Sequence, residues 1–168
     1  MTALDRLPSS SRLWLFALDG PVTDALLADV RAFCATWTSH ARPVQAEADV
    51  LAQNVLAVAA LITDAEFNAG VSGCGIDSMQ HAVEAAAERH GRSLVPALAV
   101  TYRDDAGVWQ TVARPAFRRL VREGAAGPET PVLDLTPTTL DALQAAGGVE
   151  RAAGDSWHAL TFGLEPVA

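Results

Sequence analysis

The uninterrupted apolar run from Val55 to Ile62 limits the folds open to this chain more than any other segment. It is far shorter than the ~20 residues that a membrane-spanning helix needs, so it is predicted to be a fully apolar strand. The preceding segment, Val44 to Ala52, alternates apolar and polar side chains, as a half-exposed strand does. Gln53 and Asn54 lie between the two segments and suit a tight turn. The two strands are therefore predicted to pair as a hairpin.

The elements around this hairpin predict a mixed fold. Arg12 to Leu18 is apolar on both faces, which is typical of a central strand, and a helix with an apolar stripe follows from about Asp24 to Ser39. After the hairpin come a helix from Ser78 to His90 and a strand from Leu94 to Tyr102. The resulting order, β-α-β-β-α-β, predicts an α+β fold with a ferredoxin-like core.

The residues after Tyr102 are predicted to add a hairpin strand and C-terminal helices to this core. Val108 to Ala113 is the expected partner strand, and Pro115 begins a short helix to Glu123. Ser156 to Phe162 is expected to be a last strand or a docking segment. Since no linker is long enough to divide the chain, residues 1–168 are expected to form a single α+β domain.

Charge and composition restrict the classes of partner. The net charge is −8, and all 12 basic residues are arginine, because the chain contains no lysine. A nucleic-acid-binding surface needs clustered positive charge, so nucleic acid is not an expected partner. The sequence shows neither a signal pattern nor a membrane-length apolar run, and two cysteines without an export signal favour a reduced, cytoplasmic setting. A homodimer is the default expectation for the assembly.

The segment around Cys74 carries the clearest candidate site. Gly73 and Gly75 flank this cysteine, and glycines suit a loop whose backbone N–H groups converge. Asp77 is expected to cap the helix that follows, with Gln80 completing a capping box. The loop would then lie at the positive end of a helix, where an anion is favoured.

We therefore predict that the ligand is a small anion or an anionic metabolite, bound in the loop from Gly73 to Ser78. Trp37 and Trp157 are expected to line the pocket together with His40 and His158. The residues assigned to this site are Ser72, Gly73, Gly75, Asp77, Ser78, Trp37 and Trp157.

Cys74 supports a second interpretation, a thiol-dependent enzyme. A thiolate is favoured at a helix N-terminus, and His40 or His158, brought near in the fold, would activate it as a nucleophile.

Two further interpretations are non-catalytic. Cys74 packs as a small apolar residue, or the loop is a folding corner and the function lies in a protein-interaction surface. Cys34 lies on the apolar stripe of the first helix and is expected in the core.

Several established motifs are absent from the sequence. A phosphate-binding P-loop requires a lysine, and there is none. The segment from Gly70 to Cys74 misses the serine elbow G-x-S-x-G, and Gln80 stands where a cysteine phosphatase would need an arginine. The four histidines and two cysteines show no ligand spacing, so neither a metal nor another cofactor is expected. Whether the chain is an enzyme stays open on these observations.

Arg114, Arg118 and Arg122 fall on one face of the helix predicted to begin at Pro115. Such a face is either an anion-binding patch or a solvated surface that offsets the charge of an acidic protein. Because charged helix faces are usually solvated, we favour the second interpretation at this point.

Four segments resemble, in the same order, a family of uncharacterised bacterial proteins found mostly in Bacteroidetes and their relatives. They are Trp14, Trp37-Thr38-Ser39-His40, Ser72-Gly73-Cys74-Gly75-Ile76-Asp77-Ser78 and Ser156-Trp157-His158. The third segment is usually S-G-C-S-I-D in that family, and Gly75 replaces its second serine here. Members often carry the name "ABC transporter ATPase", but a chain without a P-loop lysine has no physical basis for binding ATP in that manner. The resemblance implies no catalytic residue.

Overall fold

The structure is a computed structural model that describes residues 2–61 and 73–164. The chain divides into two compact units. Unit 1 comprises Met1–Leu94 and Thr136–Ala145, and unit 2 comprises Val95–Leu135 and Ala146–Ala168. Each unit has its own sheet, helices and apolar core. That residues 1–168 form a single domain stays a prediction.

The described residues form five α-helices, nine strands and two short 3-10 helices. In chain order they are a 3-10 helix (Ala3–Arg6), β1 (Arg12–Ala17), α1 (Asp24–Thr36), β2 (Thr38–Ser39), β3 (Arg42–Pro43), β4 (Gln45–Ala52), β5 (Val55–Leu61), α2 (Gly73–Arg89), β6 (Ala99–Arg103), β7 (Trp109–Ala113), α3 (Arg114–Arg122), β8 (Pro131–Leu133), α4 (Leu140–Ala145), β9 (Glu150–Ala152), a second 3-10 helix (Ala153–Asp155) and α5 (Trp157–Phe162).

Unit 1 is built on an antiparallel sheet in the order β1-β5-β4, which contains the predicted hairpin. β5 is central, and apolar side chains cover both of its faces. On one face Leu56, Val58 and Ala60 pack against α1 and α2. On the other face Ala57 and Ala59 pack against leucines of the first 3-10 helix and α4. A strand that is apolar on both faces needs a layer on each side, and unit 1 supplies both.

The predicted α+β class is confirmed, since antiparallel sheets and helices make up both units. The order β1-β5-β4, with α1 between β1 and β4 in the chain, is that of a split β-α-β unit. The last predicted core strand begins later than expected, at Ala99, because Pro96 lies in a turn and its carbonyl accepts from the Ala99 N–H. That strand, β6, pairs with β7 and β8 in unit 2. A ferredoxin-like core stays a prediction.

Unit 2 is built on an antiparallel sheet in the order β7-β6-β8-β9. The predicted hairpin is present as β6 and β7, and the predicted short helix is present as α3. Aromatic side chains dominate the core of this unit, where Phe117 of α3 contacts Tyr102 of β6 and Phe162 of α5 at ring-centroid distances of 5.4 and 4.8 Å. Among the helices of the described residues, none is long and apolar enough to cross a bilayer.

The segment predicted as a last strand or a docking segment is the helix α5, so the strand alternative was wrong. Ser156 caps its start, with Oγ accepting a hydrogen bond from the backbone N–H of His158 at 3.4 Å. Gly163 ends it in a left-handed conformation, with a φ of 67°. The capping serine and the terminal glycine indicate a helix, but the short apolar run between them also fits a strand, and that is why the helix was not predicted.

Candidate functional site

The segment predicted as an anion-binding loop is the beginning of helix α2. Gly73, Cys74 and Gly75 lie in its first turn, so the prediction that the helix begins at Ser78 was wrong. Met79 is buried in the core of unit 1, and the half-buried Ile76 packs against that core and extends the apolar stripe of α2 toward its start. Apolar contact at helical spacing therefore favours a helical conformation for the residues around the two glycines.

The polar residues of the predicted loop have roles within the helix. Asp77 and Ser78 are exposed positions in α2, and Asp77 is not its N-cap. The hydroxyl of Ser78 donates to the carbonyl of Cys74 at 2.9 Å, which is the back-bonding that serine often makes inside helices. Ser72, the first residue assigned to the site, lies outside the described residues. A ligand role for any of them stays a prediction.

The two cysteines lie in opposite environments. Cys34 is buried on the apolar face of α1, as the sequence predicts, and desolvation raises the pKa of its thiol to about 11. Cys74 is exposed, so the interpretation that it packs as a small apolar residue is wrong. Within the described part of the chain, the sulfur of Cys74 has no hydrogen-bond partner. The activation of this thiol by a histidine stays a prediction.

The other unit 1 residues assigned to the pocket lie at the end of α1 and in the turn that follows. Trp37 is only 3% exposed and packs in the core, with ring centroids 6.0 Å from Trp14 and 5.6 Å from Phe33. His40 is exposed in the turn between β2 and β3, where it and Ala41 both adopt left-handed φ angles of 51° and 60°. Trp37 is therefore part of the packing of unit 1, and His40 is a surface residue.

Trp157 and His158 lie in unit 2, whereas Cys74, His40 and Trp37 lie in unit 1. Within unit 2 the structure brings Trp157 and His158 into direct contact, with ring centroids 3.9 Å apart and an interplanar angle of 28°. That these residues share a pocket with Cys74 was a hypothesis from sequence order, and it stays a hypothesis.

His158 is the most unusual titratable group among the described residues. Its side chain is completely buried among aromatic rings, and its Nδ1 lies 2.8 Å from Ser156 Oγ. Its Nε2 is buried without a hydrogen-bond partner in the described structure. An unpaired buried polar atom costs about 1–3 kcal/mol. Burial lowers the pKa of His158 to about 4, against the nearby charge of Asp134, which raises it.

A Ser-His-Asp mechanism does not fit this arrangement. Ser156 Oγ lies beside Nδ1 of His158, and the same hydroxyl contacts the carbonyl of Ala153 at 3.1 Å while it caps α5. Asp134 is buried and pairs with Arg151 at 3.1 Å. A catalytic triad needs the serine on one imidazole nitrogen and the carboxylate on the other. Ser156 is therefore a capping residue that orients the imidazole.

Arg114, at the start of α3, lies against the same aromatic cluster. Its guanidinium carbon is 4.9 Å from the ring centroid of Trp157, and its Nε is buried without a partner in the described residues. Its positive charge contributes to the lowered pKa of His158. Arg114 and His158, each with one buried polar atom that has no partner among the described residues, thus both contact the ring of Trp157.

The remaining arginines of α3 form an exposed basic surface, which we call the arginine face. It consists of Arg118, Arg119 and Arg122. In the described parts of the chain none of these three pairs with a carboxylate, whereas Arg6, Arg31 and Arg151, among others, do. The helical spacing of Arg118 and Arg122 was recognised from the sequence, but whether acidic side chains pair with them depends on the fold.

Leu160 adjoins the arginine face and was not singled out from the sequence. Its side chain is 95% exposed on α5. The next residue, Thr161, offers its carbonyl to the guanidinium of Arg118 at 3.4 Å, and that guanidinium lies 5.7 Å from the ring centroid of Phe162. The capping serine and the glycine at the end of α5 are signals that could have indicated a helix with one outward-facing leucine.

Among the described residues, no group of three or more histidine, cysteine, aspartate or glutamate side chains gathers as a metal site would require. Comparisons of the chain with protein-family models, with curated proteins and with solved structures find no match.

Proposed function

We propose that this protein is a non-catalytic binding protein that docks an acidic protein segment on the arginine face of α3 and the adjoining surface of α5. The carrying observation is that Arg118, Arg119 and Arg122 lack ion pairs within the described residues of a chain with 20 acidic side chains. Unneutralised positive charge of this kind attracts a partner that carries carboxylates.

The helix that carries this face supports the proposal. Phe117, on the opposite side of α3, is completely buried in the core of unit 2. Because the core holds that side, the basic side points outward on a fixed support. Arg118 is further held by the Thr161 carbonyl and the Phe162 ring. A guanidinium positioned in this way loses less side-chain freedom when it pairs with a carboxylate.

The exposed side chain of Leu160 favours an acidic protein segment as the partner over a nucleic acid or an anionic membrane. An apolar side chain that is 95% exposed gains little from a phosphate backbone but gains apolar contact from a peptide. The net charge of −8 also repels extended polyanions and anionic membranes. Since screening limits charge effects to about 10 Å, a short acidic segment would respond mainly to the local arginines.

Binding of a short fluorescent peptide built from glutamate and leucine tests this proposal by anisotropy. We expect saturable binding that weakens as salt is added, and no binding of the matching glutamine–leucine peptide. Arg122→Glu should weaken binding by about tenfold, because it reverses a charge in the contact. Arg6→Glu is the control for total charge, since Arg6 is also exposed, lies in unit 1 and is paired with Glu47. Leu160→Ala should weaken binding without changing the salt dependence.

Several outcomes would overturn the proposal. Equal effects of Arg122→Glu and Arg6→Glu would show that the peptide responds to total charge and not to the arginine face. Tighter binding of a single-stranded oligonucleotide or of phosphatidylserine vesicles would assign the surface to another class of partner. A molecular mass that doubles with concentration and falls with Arg122→Glu would identify the partner as a second copy of this chain.

A further inference from the structure

The imidazole of His158 uses only half of its hydrogen-bonding capacity. Nδ1 lies 2.8 Å from Ser156 Oγ, while Nε2 is buried without a partner among the described residues. Native proteins pair nearly all of their buried polar atoms, so an orphaned nitrogen at the centre of a well-packed unit needs a physical explanation. A bound molecule that supplies the missing hydrogen bond is one such explanation.

Ser156 determines which nitrogen of the ring carries the proton. Its hydroxyl has a single proton, which the carbonyl of Ala153, 3.1 Å away, can accept. Ser156 Oγ is then the acceptor for both Nδ1–H and the backbone N–H of His158. This assignment satisfies every group around the serine. It leaves Nε2 of His158 with a bare lone pair.

The charge around this lone pair selects the chemistry of a ligand. Arg114 presents a buried, unused Nε–H donor against the same Trp157 ring that stacks on His158. A metal ion fits poorly, because the guanidinium would repel it. A hydroxyl group can donate to Nε2, and an anionic oxygen can accept from Arg114.

We propose that His158 Nε2 and Arg114 Nε bind a small organic acid that carries a hydroxyl group, with the ring of Trp157 as the cover of the site. The inference is independent of the proposed partner on the arginine face, since neither residue belongs to that face. Burial holds the pKa of His158 at about 4, so the lone pair is available throughout the neutral range.

Trp157 provides a route to these two buried nitrogen atoms. His158 is completely buried, whereas Trp157 is half-buried and one of its surfaces reaches solvent. The indole is held by its stack on His158 and by Arg114, and both interactions are weak compared with two charge-assisted or buried hydrogen bonds. Rotation of one side chain would therefore admit a ligand that satisfies both orphaned groups.

Nitrogen-15 NMR of histidine-labelled protein tests the proposal without any substitution. The probes are glycolate, which has a hydroxyl and a carboxylate, acetate, which lacks the hydroxyl, and ethylene glycol, which lacks the charge. We expect glycolate to move the His158 Nε2 resonance toward that of a hydrogen-bonded acceptor. It should bind at least about tenfold more tightly than either other probe, because a site that hydrogen-bonds a hydroxyl rejects analogues without one.

Variants separate a binding role from a structural one. Arg114→Met keeps the apolar stem against Trp157 and should weaken glycolate binding by about tenfold or more. Trp157→Ala should accelerate binding, because it removes the cover. His81→Gln, at an exposed position of α2, is the control and should change nothing.

Three results would overturn the inference. One is equal binding of glycolate and acetate. Another is an Nε2 resonance that stays fixed with every probe in both the natural chain and Trp157→Ala. Because Trp157→Ala lacks the indole that covers the site, exclusion of the probe by that ring could not explain the result. The third is a ligand-free spectrum in which Nε2 and not Nδ1 carries the proton.

Discussion

At the scale of single residues, the two cysteines differ in solvent exposure because they lie at different places in the fold. Cys34 was assigned to the core from the apolar stripe of α1, and burial follows from that stripe alone. The exposure of Cys74 could not be predicted, because it depends on α2 beginning at Gly73 and not at Ser78. A local pattern shows which side of a helix is apolar, but not always where the helix begins.

The two thiols should differ in their reaction with iodoacetamide. We expect Cys74 to be alkylated rapidly in the folded protein, because its side chain is exposed. Cys34 should react only when the protein unfolds, since it is buried and its pKa is raised to about 11. Mass spectrometry of timed samples measures both rates. Cys74→Ser should abolish the fast phase alone, and rapid alkylation of Cys34 would contradict the placement of α1.

Protonation of His158 should make stability depend on pH between 6.5 and about 4. The unfolded chain protonates this imidazole near its ordinary pKa of 6.5, whereas the folded protein keeps it neutral to about 4. The unfolded state therefore binds more protons in this window, and stability falls as the pH falls. The full effect is roughly 3 kcal/mol.

Urea unfolding at pH 7.5, 5.5 and 4.5 measures this loss. His158→Phe should flatten the dependence in that window, because phenylalanine suits the aromatic surroundings and has no proton to gain. His81→Gln should retain the dependence of the natural chain, since His81 is exposed. An unchanged pH dependence in His158→Phe would show that other groups cause it.

The turn between β2 and β3 should gain stability from a glycine. Ala41 has a φ of 60°, a conformation that costs an L-residue about 1–2 kcal/mol. Glycine removes this cost but adds about 0.4–1 kcal/mol of unfolded-state entropy, so Ala41→Gly should stabilise by roughly 0.5–1 kcal/mol. Denaturant unfolding measures the change. Ala32→Gly, at an exposed position in the interior of α1, is the control and should destabilise by about 1 kcal/mol.

At the scale of elements, the sequence predicted those whose pattern is local. The helix α1, the β4–β5 hairpin and the strand β7 lie close to their predicted ranges, because periodicity and turn residues determine them. The pairing of β6 with β7 was also predicted, but β6 begins five residues later than expected. The start of α2 and the helical state of α5 were missed. In α2 the two glycines of the first turn favoured a loop, and in α5 a short apolar run outweighed the capping serine and the terminal glycine.

The end of α5 should be sensitive to loss of its glycine. Gly163 has a φ of 67° with open space around it, so an added Cβ would meet no atom but would strain the backbone. We expect Gly163→Ala to destabilise by about 1–2 kcal/mol. Gly127→Ala, also in open space but without a positive φ, is the control and should be neutral or slightly stabilising. Equal effects of the two substitutions would contradict a helical α5.

At the scale of the whole molecule, the chain divides in a way that its order of elements does not indicate. The residues grouped as one site fall into two units, with Cys74 in the first and His158 in the second. α4, although it follows β8 in the chain, belongs to unit 1. Long-range pairings of this kind depend on which surfaces meet, and a single sequence contains little information about that. That Nε2 of His158 has no hydrogen-bond partner among the described residues likewise could not be predicted from the sequence, because it depends on which residues surround the ring in the fold.

The central position of β5 has a consequence for the chain when it is not folded. Val55–Leu61 contains no charge, proline or glycine, which is typical of segments that assemble into cross-β aggregates. In the native state both of its edges are paired, with β1 on one side and β4 on the other. Refolding from denaturant should therefore lose soluble protein as concentration rises, and Val58→Glu should abolish folding while reducing that aggregation. The strand that holds unit 1 together is thus also the segment that most needs to fold quickly.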